Sequence, residues 1–178
     1  SPQWVKQLAP SGSMLVPLRH VGANPLVRAW REGGEVIGSV VGSSGFMAIQ
    51  GKLWDEHYLD FSQPRRNGVE DERSVWPELA TAKSLQNVRE SNQSRTAFWF
   101  FLGLRDRRTR LFRWFSSFGL EDKPSGRTAR LEADRLVGDP ILLDELDGLY
   151  REWRALGAPD IRRFRLRFVP AHSSDVAA

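Results

Sequence analysis

The most suggestive spacing in the chain lies near its end. From Ile161 to Val169, Arg163, Arg165 and Arg167 alternate with Phe164, Leu166 and Phe168. Successive side chains of an extended strand point to opposite faces, so this pattern predicts one apolar face and one row of guanidinium groups. Such a row suits carboxylates, which arginine holds through two parallel hydrogen bonds. A second group, Arg105, Arg107, Arg108, Arg110 and Arg113, is interleaved with Phe112 and Trp114. Arginines beside stacking aromatics resemble a surface for single-stranded nucleic acid. The same aromatics, with Trp99 and Phe101, also read as the core side of a hairpin, which would leave Arg108 and Arg110 to meet an acidic peptide.

Other candidate groups are weaker. His20, His57 and His172 are far apart and lack metal-ligand spacing, so no metal site is expected. His20 could touch a substrate, though a half-exposed structural histidine is the simpler reading. Asp55, Glu56 and Asp60 could pair as acids, but acid–base work needs a pocket and a shifted pKa, and a solvated loop accounts for them. Val41-Gly42-Ser43-Ser44-Gly45 has the composition of a ligand-cradling loop. Such a loop must join a strand to a helix start, whereas Phe46 to Ile49 reads as a strand, so a hairpin turn is expected.

These groups must be positioned by a chain of 178 residues, 40% of them apolar, which suffices for one domain or for a small domain joined to part of another. Cysteine is absent, which excludes disulfides, thiolate metal sites and a cysteine nucleophile. The longest apolar stretch, Ala97 to Leu104, is far short of the roughly 18–20 residues that span a bilayer. The first residues lack the basic start and apolar segment of a signal peptide. A cytoplasmic setting is therefore expected. The net charge of +4 comes almost wholly from arginine. It fits an acidic partner, or simply a soluble protein from an arginine-rich proteome.

Pro2 to Leu8 reads as a short helix ended by Pro10, Ser11 and Gly12. Met14, Leu15 and Val16 read as a strand buried on both faces. Leu26–Trp30 and Glu35–Val41 read as a hairpin turned at Gly33-Gly34. Ser62 to Arg73 has no apolar period and reads as a linker. Ser74 could cap a helix to about Arg89. Thr96–Leu104 and Arg110–Phe115 read as a second, aromatic hairpin, and Arg127–Leu136 as a strand. The clearest element follows Gly138: Asp139 as N-cap, Pro140 at the first helical position, an apolar stripe of Leu142, Leu146, Leu149, Trp153 and Leu156, and Gly157 as stop. The tail from Ala171 reads as disordered.

Three of these segments resemble one family. Trp4-Val5-Lys6-Gln7-Leu8-Ala9-Pro10-Ser11-Gly12, running into the apolar strand that ends at Val16-Pro17, resembles the "W-x-x-Q-L-x-P-G-G … V-P" pattern of protein-L-isoaspartate O-methyltransferases, with Ser11 for the first of the paired glycines. The hairpin Leu26–Val41 is similar to the family's closing pair of strands. Ser44-Gly45-Phe46-Met47-Ala48-Ile49-Gln50-Gly51 resembles its "G-F-x-P-L/M-x-G" segment, with Ala48 where proline is usual. The resemblance covers about residues 2–52. It is nearest to the branch that accompanies maturation of ribosomally made peptides (lanthipeptide and ATP-grasp systems).

The resemblance implies an α/β fold: closing strands of a Rossmann-like methyltransferase sheet (1–60), a linker (61–73), a smaller basic α+β accessory domain (74–170) and the tail (171–178). It implies S-adenosylmethionine-dependent methylation of an aspartyl or isoaspartyl carboxylate in a protein or precursor peptide. Pro17, Leu18, Phe46 and Met47, and with them His20, would lie beside the substrate. Arg163, Arg165 and Arg167, then Arg108 and Arg110, would grip an acid-rich peptide. No residue here matches the family's catalytic or cofactor-binding positions, so the cofactor would be bound by a part of the enzyme outside these residues. The alternative is a module that binds peptide or nucleic acid without catalysis of its own.

Overall fold

The computed structural model describes residues 2–18, 20–21, 23–43, 71–79, 85–113, 117–133 and 135–169. Within these the fold is mixed α/β, built on two antiparallel sheets.

The first sheet begins with helix α1 (Pro2–Gln7) and strands β1 (Ser13–Pro17), β2 (Pro25–Glu32) and β3 (Glu35–Ser43). Gly33 and Gly34 turn β2 into β3 at φ 59° and 86°, the paired positive values a two-residue hairpin turn requires. Arg31 holds α1 against the sheet, donating from Nε to the Leu8 carbonyl and from Nη2 to the Val5 carbonyl at 2.7 Å. Strand β1 is not buried on both faces. Among the described residues it is an edge strand, Val16 faces the core, and Leu15 is 64% exposed. An apolar run fixes a strand, but burial on both faces needs a layer on each side. Val41, Gly42 and Ser43 belong to β3 rather than to a turn. The register with β2 shifts there, Leu26 facing Gly42 and Val27 facing Val40.

The second sheet has the order β4 (Asp71–Ser74), β8 (Arg135–Gly138), β7 (Arg127–Leu131), β6 (Ser117–Asp122), β5 (Thr109–Arg113). Residues 71–73, expected in a linker, are thus strand, and Ser74 pairs with Arg135 instead of capping a helix. The expected strand Arg127–Leu136 is a hairpin turning through 132–135.

The largest correction concerns Thr96–Leu104. It is not a hairpin arm but the end of helix α2 (Leu85–Arg105). Ala97 to Leu102 are all buried because the helix is enclosed on several sides. Phe98 meets Trp76, Phe118, Tyr150 and Trp153; Phe100 meets His20 and Phe164. A helix apolar all round has no stripe, so its sequence is indistinguishable by period from a buried strand.

Helix α3 (Pro140–Ala155) starts as expected. The Asp139 carboxylate accepts the N–H groups of Ile141 and Leu142, and Pro140 follows. Its buried face is Leu142, Leu143, Leu146, Tyr150 and Trp153; Leu156 is exposed beyond the helix end. Gly157 at φ 80° turns the chain, and the N–H of Ala158 returns to the Trp153 carbonyl.

After a 3-10 turn (Ile161–Arg163), strand β9 (Arg165–Phe168) pairs antiparallel with β3. The end of the 74–170 region therefore completes the sheet begun by residues 13–43. Gly38 permits this: a Cβ there would lie 2.6 Å from Val27 Cγ1 and 3.2 Å from Phe168 Cε2. Val27 and Val40 share one buried cluster with Phe98, Leu120, Leu131 and Leu146, so α2 joins both sheets in a single core.

Candidate functional site

The register of the first sheet brings part of the expected site to one end. Pro17 faces Leu26, Pro25 faces Ser43, and the N–H of Leu18 donates to the Pro25 carbonyl at 2.9 Å. Strand β3 ends at Ser43, at the same end of the sheet as Pro17 and Leu18 but across β2 from them. Pro17 is exposed and Leu18 half-buried. Phe46 and Met47, with Asp55, Glu56, His57, Asp60, Trp114 and His172, lie outside the described residues.

His20 does not face that end as a free group. It sits against α2, its ring 4.8 Å from that of Phe100, with Nε2–H donating to the Phe100 carbonyl at 3.2 Å. Burial lowers its pKa below the ordinary 6.5, outweighing the carbonyl bond that favours the charged form. This is a neutral histidine fixing the loop between β1 and β2.

Arg165 and Arg167 are placed as the alternation requires, whereas Arg163, expected in the same strand, lies in the 3-10 turn before it. Phe164, Leu166 and Phe168 turn inward, while Arg163, Arg165 and Arg167 are exposed. Arg165 is in register with Ser39, and Arg167 with Ile37. The same face carries Arg28 and Trp30 of β2, since Arg28 faces Ser39 and Trp30 faces Ile37. The Arg165 guanidinium lies 6.0 Å from the Trp30 ring centre. Its nearest carboxylate contact is Glu32 at 3.5 Å, and Arg167 has Glu35 at the same distance. Arg28 contacts the Ser13 hydroxyl at 3.4 Å. Sequence reasoning missed Arg28 and Trp30. Their alternation with buried Val27 and Ala29 carried the signal, but only the strand register places them beside β9.

Arg108 and Arg110 are elsewhere and already occupied. Arg108 binds Asp106 at 2.7 Å and Glu145 at 2.5 Å; these bonds raise its pKa and lower that of Asp106. Arg110 meets Glu121 and donates to the carbonyls of Arg107 and Thr109. Arg105 pairs with Glu152. Trp99, Phe101 and Phe112 are buried, so they offer no stacking surface. Arg105 and Arg108 tie the end of α2 and the turn after it to α3, while Arg110 is held by β6 and its own turn.

Among the described residues the glycine-containing segments form no open strand–loop–helix cradle for an anion. Val41–Ser43 is strand, and Gly33-Gly34 is a hairpin turn. A strand–glycine–helix junction does occur at β8, Gly138 and α3, but the Asp139 carboxylate occupies the N–H groups that would face an anion there. Among the described residues no cluster of His, Asp or Glu could hold a metal ion, and no helix is long and apolar enough to cross a membrane. No family model, curated protein or solved structure matches the chain.

Proposed function

We propose that the chain forms the substrate side of an S-adenosylmethionine-dependent O-methyltransferase acting on an aspartyl or isoaspartyl carboxylate of a protein or precursor peptide. The observation that carries this reading is the sheet end formed by Pro17, Leu18, Pro25 and Ser43. Two of the three segments that resemble the methyltransferase family supply neighbouring strands, β1 and the hairpin β2-β3, in chain order; the third, Ser44–Gly51, lies outside the described residues. Val16-Pro17 of β1 and Ser43 of β3 lie at that end, on either side of β2. A Rossmann-like sheet would continue beyond β1, whose second edge is unpaired among the described residues.

S-adenosylmethionine supplies the methyl group and would be held by a part of the enzyme outside these residues. This chain's contribution is position. Methyl transfer is a displacement that depends on holding a carboxylate oxygen close to the methyl carbon and in line with its leaving bond. An exposed proline and a half-buried leucine at a strand end offer apolar contact to a peptide and perform no proton transfer. A cytoplasmic setting accords with this role.

The test is incorporation of labelled methyl groups from S-adenosylmethionine into a peptide rich in aspartate, by an enzyme that includes these residues. The expected product is a base-labile methyl ester on a side-chain carboxylate. No label in any carboxylate, over a panel of acidic and isoaspartyl peptides, would sink the reading. Calorimetry with the 178-residue chain alone should show no binding of the cofactor; a measurable affinity would overturn its placement elsewhere.

A further inference from the structure

We propose that β9 is a docking edge for an acidic peptide, which adds to the first sheet as a further strand and sets carboxylates at alternate positions on Arg165 and Arg167. The inference deepens the functional reading above, naming how the peptide would be held.

Three observations lead there. Strand β9 ends its sheet, with β3 on one side and no strand on the other among the described residues. A terminal strand keeps main-chain N–H and C=O groups that an extended peptide can pair. The inward side of β9 is fixed: Phe164 meets Phe100 edge-on at 5.0 Å, and Phe168 packs over Gly38. The outward side is cationic and lightly held. The side chains of Arg165 and Arg167 are 67% and 65% exposed, and their contacts with Glu32 and Glu35 are long and solvent-facing. Exposed pairs of that kind are weak, so an incoming carboxylate can replace them.

The spacing selects the partner. Residues two apart on a strand are roughly 6.5–7 Å apart on one face, so a neighbouring strand with acids at i and i+2 meets both arginines. A second copy of this chain is a poor occupant, because β9 against β9 would bring the arginine rows together. Nucleic acid has no backbone that continues a β-ladder. Direction matters too. Strand β9 is antiparallel to β3, so Arg165, opposite Ser39, is the arginine nearer the Ser43 end. Ser43 lies four positions along β3 from Ser39, roughly 13 Å of strand. A peptide anchored on Arg165 would therefore extend a residue about four positions away to the Ser43 end of the sheet, with β9, β3 and β2 between it and Pro17 of β1.

The experiment uses the 178-residue chain and two labelled synthetic peptides of identical composition. In one aspartate alternates with valine; in the other the aspartates are grouped. Fluorescence anisotropy at physiological salt should show the alternating peptide binding about tenfold tighter or more. The Arg165→Glu/Arg167→Glu pair should lose at least about tenfold in affinity, while Arg107→Glu on the exposed turn after α2 should change nothing. Hydrogen exchange should slow at residues 165–169 when the alternating peptide binds. Should the charge reversals disturb the far-UV spectrum, Arg165→Gln/Arg167→Gln repeats the measurement without repulsion. Equal binding of both peptides, indifference to both double variants, or protection confined to the second sheet would overturn the proposal. So would tighter, Arg165-dependent binding of a single-stranded oligonucleotide, which would assign the row to nucleic acid. Binding without methyl transfer would remove the methyltransferase reading and leave this one standing. Methyl transfer unimpaired by the double charge reversal would do the opposite.

Discussion

Gly103 of α2 faces His20 so closely that a Cβ at position 103 would stand 2.6 Å from the imidazole Nε2 and 2.4 Å from Val21 Cγ2. The absent side chain lets the loop between β1 and β2 close onto the helix. Through that contact, and through Phe164 on Phe100, the first sheet is seated on the core that carries the second.

Gly103→Ala should therefore destabilise the protein, by about 1–3 kcal/mol, despite alanine's better helix propensity. Gly148→Ala, in α3 with nothing within 4 Å of the added Cβ, is the matched control and should stabilise by roughly 0.5–1 kcal/mol. Urea unfolding of the two variants checks both signs. A neutral or stabilising Gly103→Ala would refute the contact.

His20 makes stability depend on pH. Its folded pKa lies below the ordinary 6.5, so the unfolded chain takes up the proton more readily. The contribution is full above pH 6.5 and declines as pH falls through 6.5 toward the folded value. The free energy of unfolding measured from pH 8 to pH 5 should fall more steeply for the natural chain than for His20→Gln. Parallel curves would show that His20 does not carry the dependence.

Gly38→Ala should loosen β9, since the new Cβ meets Val27 Cγ1 and Phe168 Cε2 together. Overpacking of this kind costs about 1–3 kcal/mol. Hydrogen exchange should quicken along β9 more than in the second sheet. Uniform quickening would mean that β9 is not the element displaced.

Asp139→Ala should remove the cap of α3, which accepts two main-chain N–H groups and lies 3.5 Å from Arg127. The loss should be about 0.5–2 kcal/mol, with Asp139→Asn or Asp139→Ser recovering most of it. Thermal melts of the three variants decide; equal losses in all would point to the Arg127 contact instead.

Arg95 donates from Nη1 to the Leu79 carbonyl at 2.8 Å and to the Glu132 carbonyl at 3.1 Å, with its guanidinium 5.6 Å from the Phe118 ring centre. Burial lowers its pKa from the ordinary value without removing the charge. Arg95→Met keeps much of the volume and removes the donors, and should cost about 1.5–3 kcal/mol. A change under half a kilocalorie in urea unfolding would show that these carbonyls find other partners.

The residues themselves determined much of this. Paired glycines at 33–34 dictate a hairpin because few other residues tolerate positive φ at both positions. Asp139-Pro140 and Gly157 bound α3 because helix ends have unmet donors and acceptors that these residues satisfy or tolerate. The alternation from Phe164 to Phe168 sets which side of β9 is apolar, since the period of a strand is two. These are local rules, legible within a few residues.

Partnership was decided by the tertiary structure. Thr96–Leu104 became helix because core surrounds it, erasing the periodicity that distinguishes helix from strand. Arg108 and Arg110 rank next after Arg163, Arg165 and Arg167 in the sequence, yet Asp106 and Glu145 engage Arg108, and Glu121 with two main-chain carbonyls engages Arg110. That β9 crosses to the first sheet, setting Arg165 over Trp30 and on the same face as Arg28, depends on contacts between residues more than a hundred positions apart. Hydrophobic burial drives such pairings without regard to sequence distance, so no local pattern announces them.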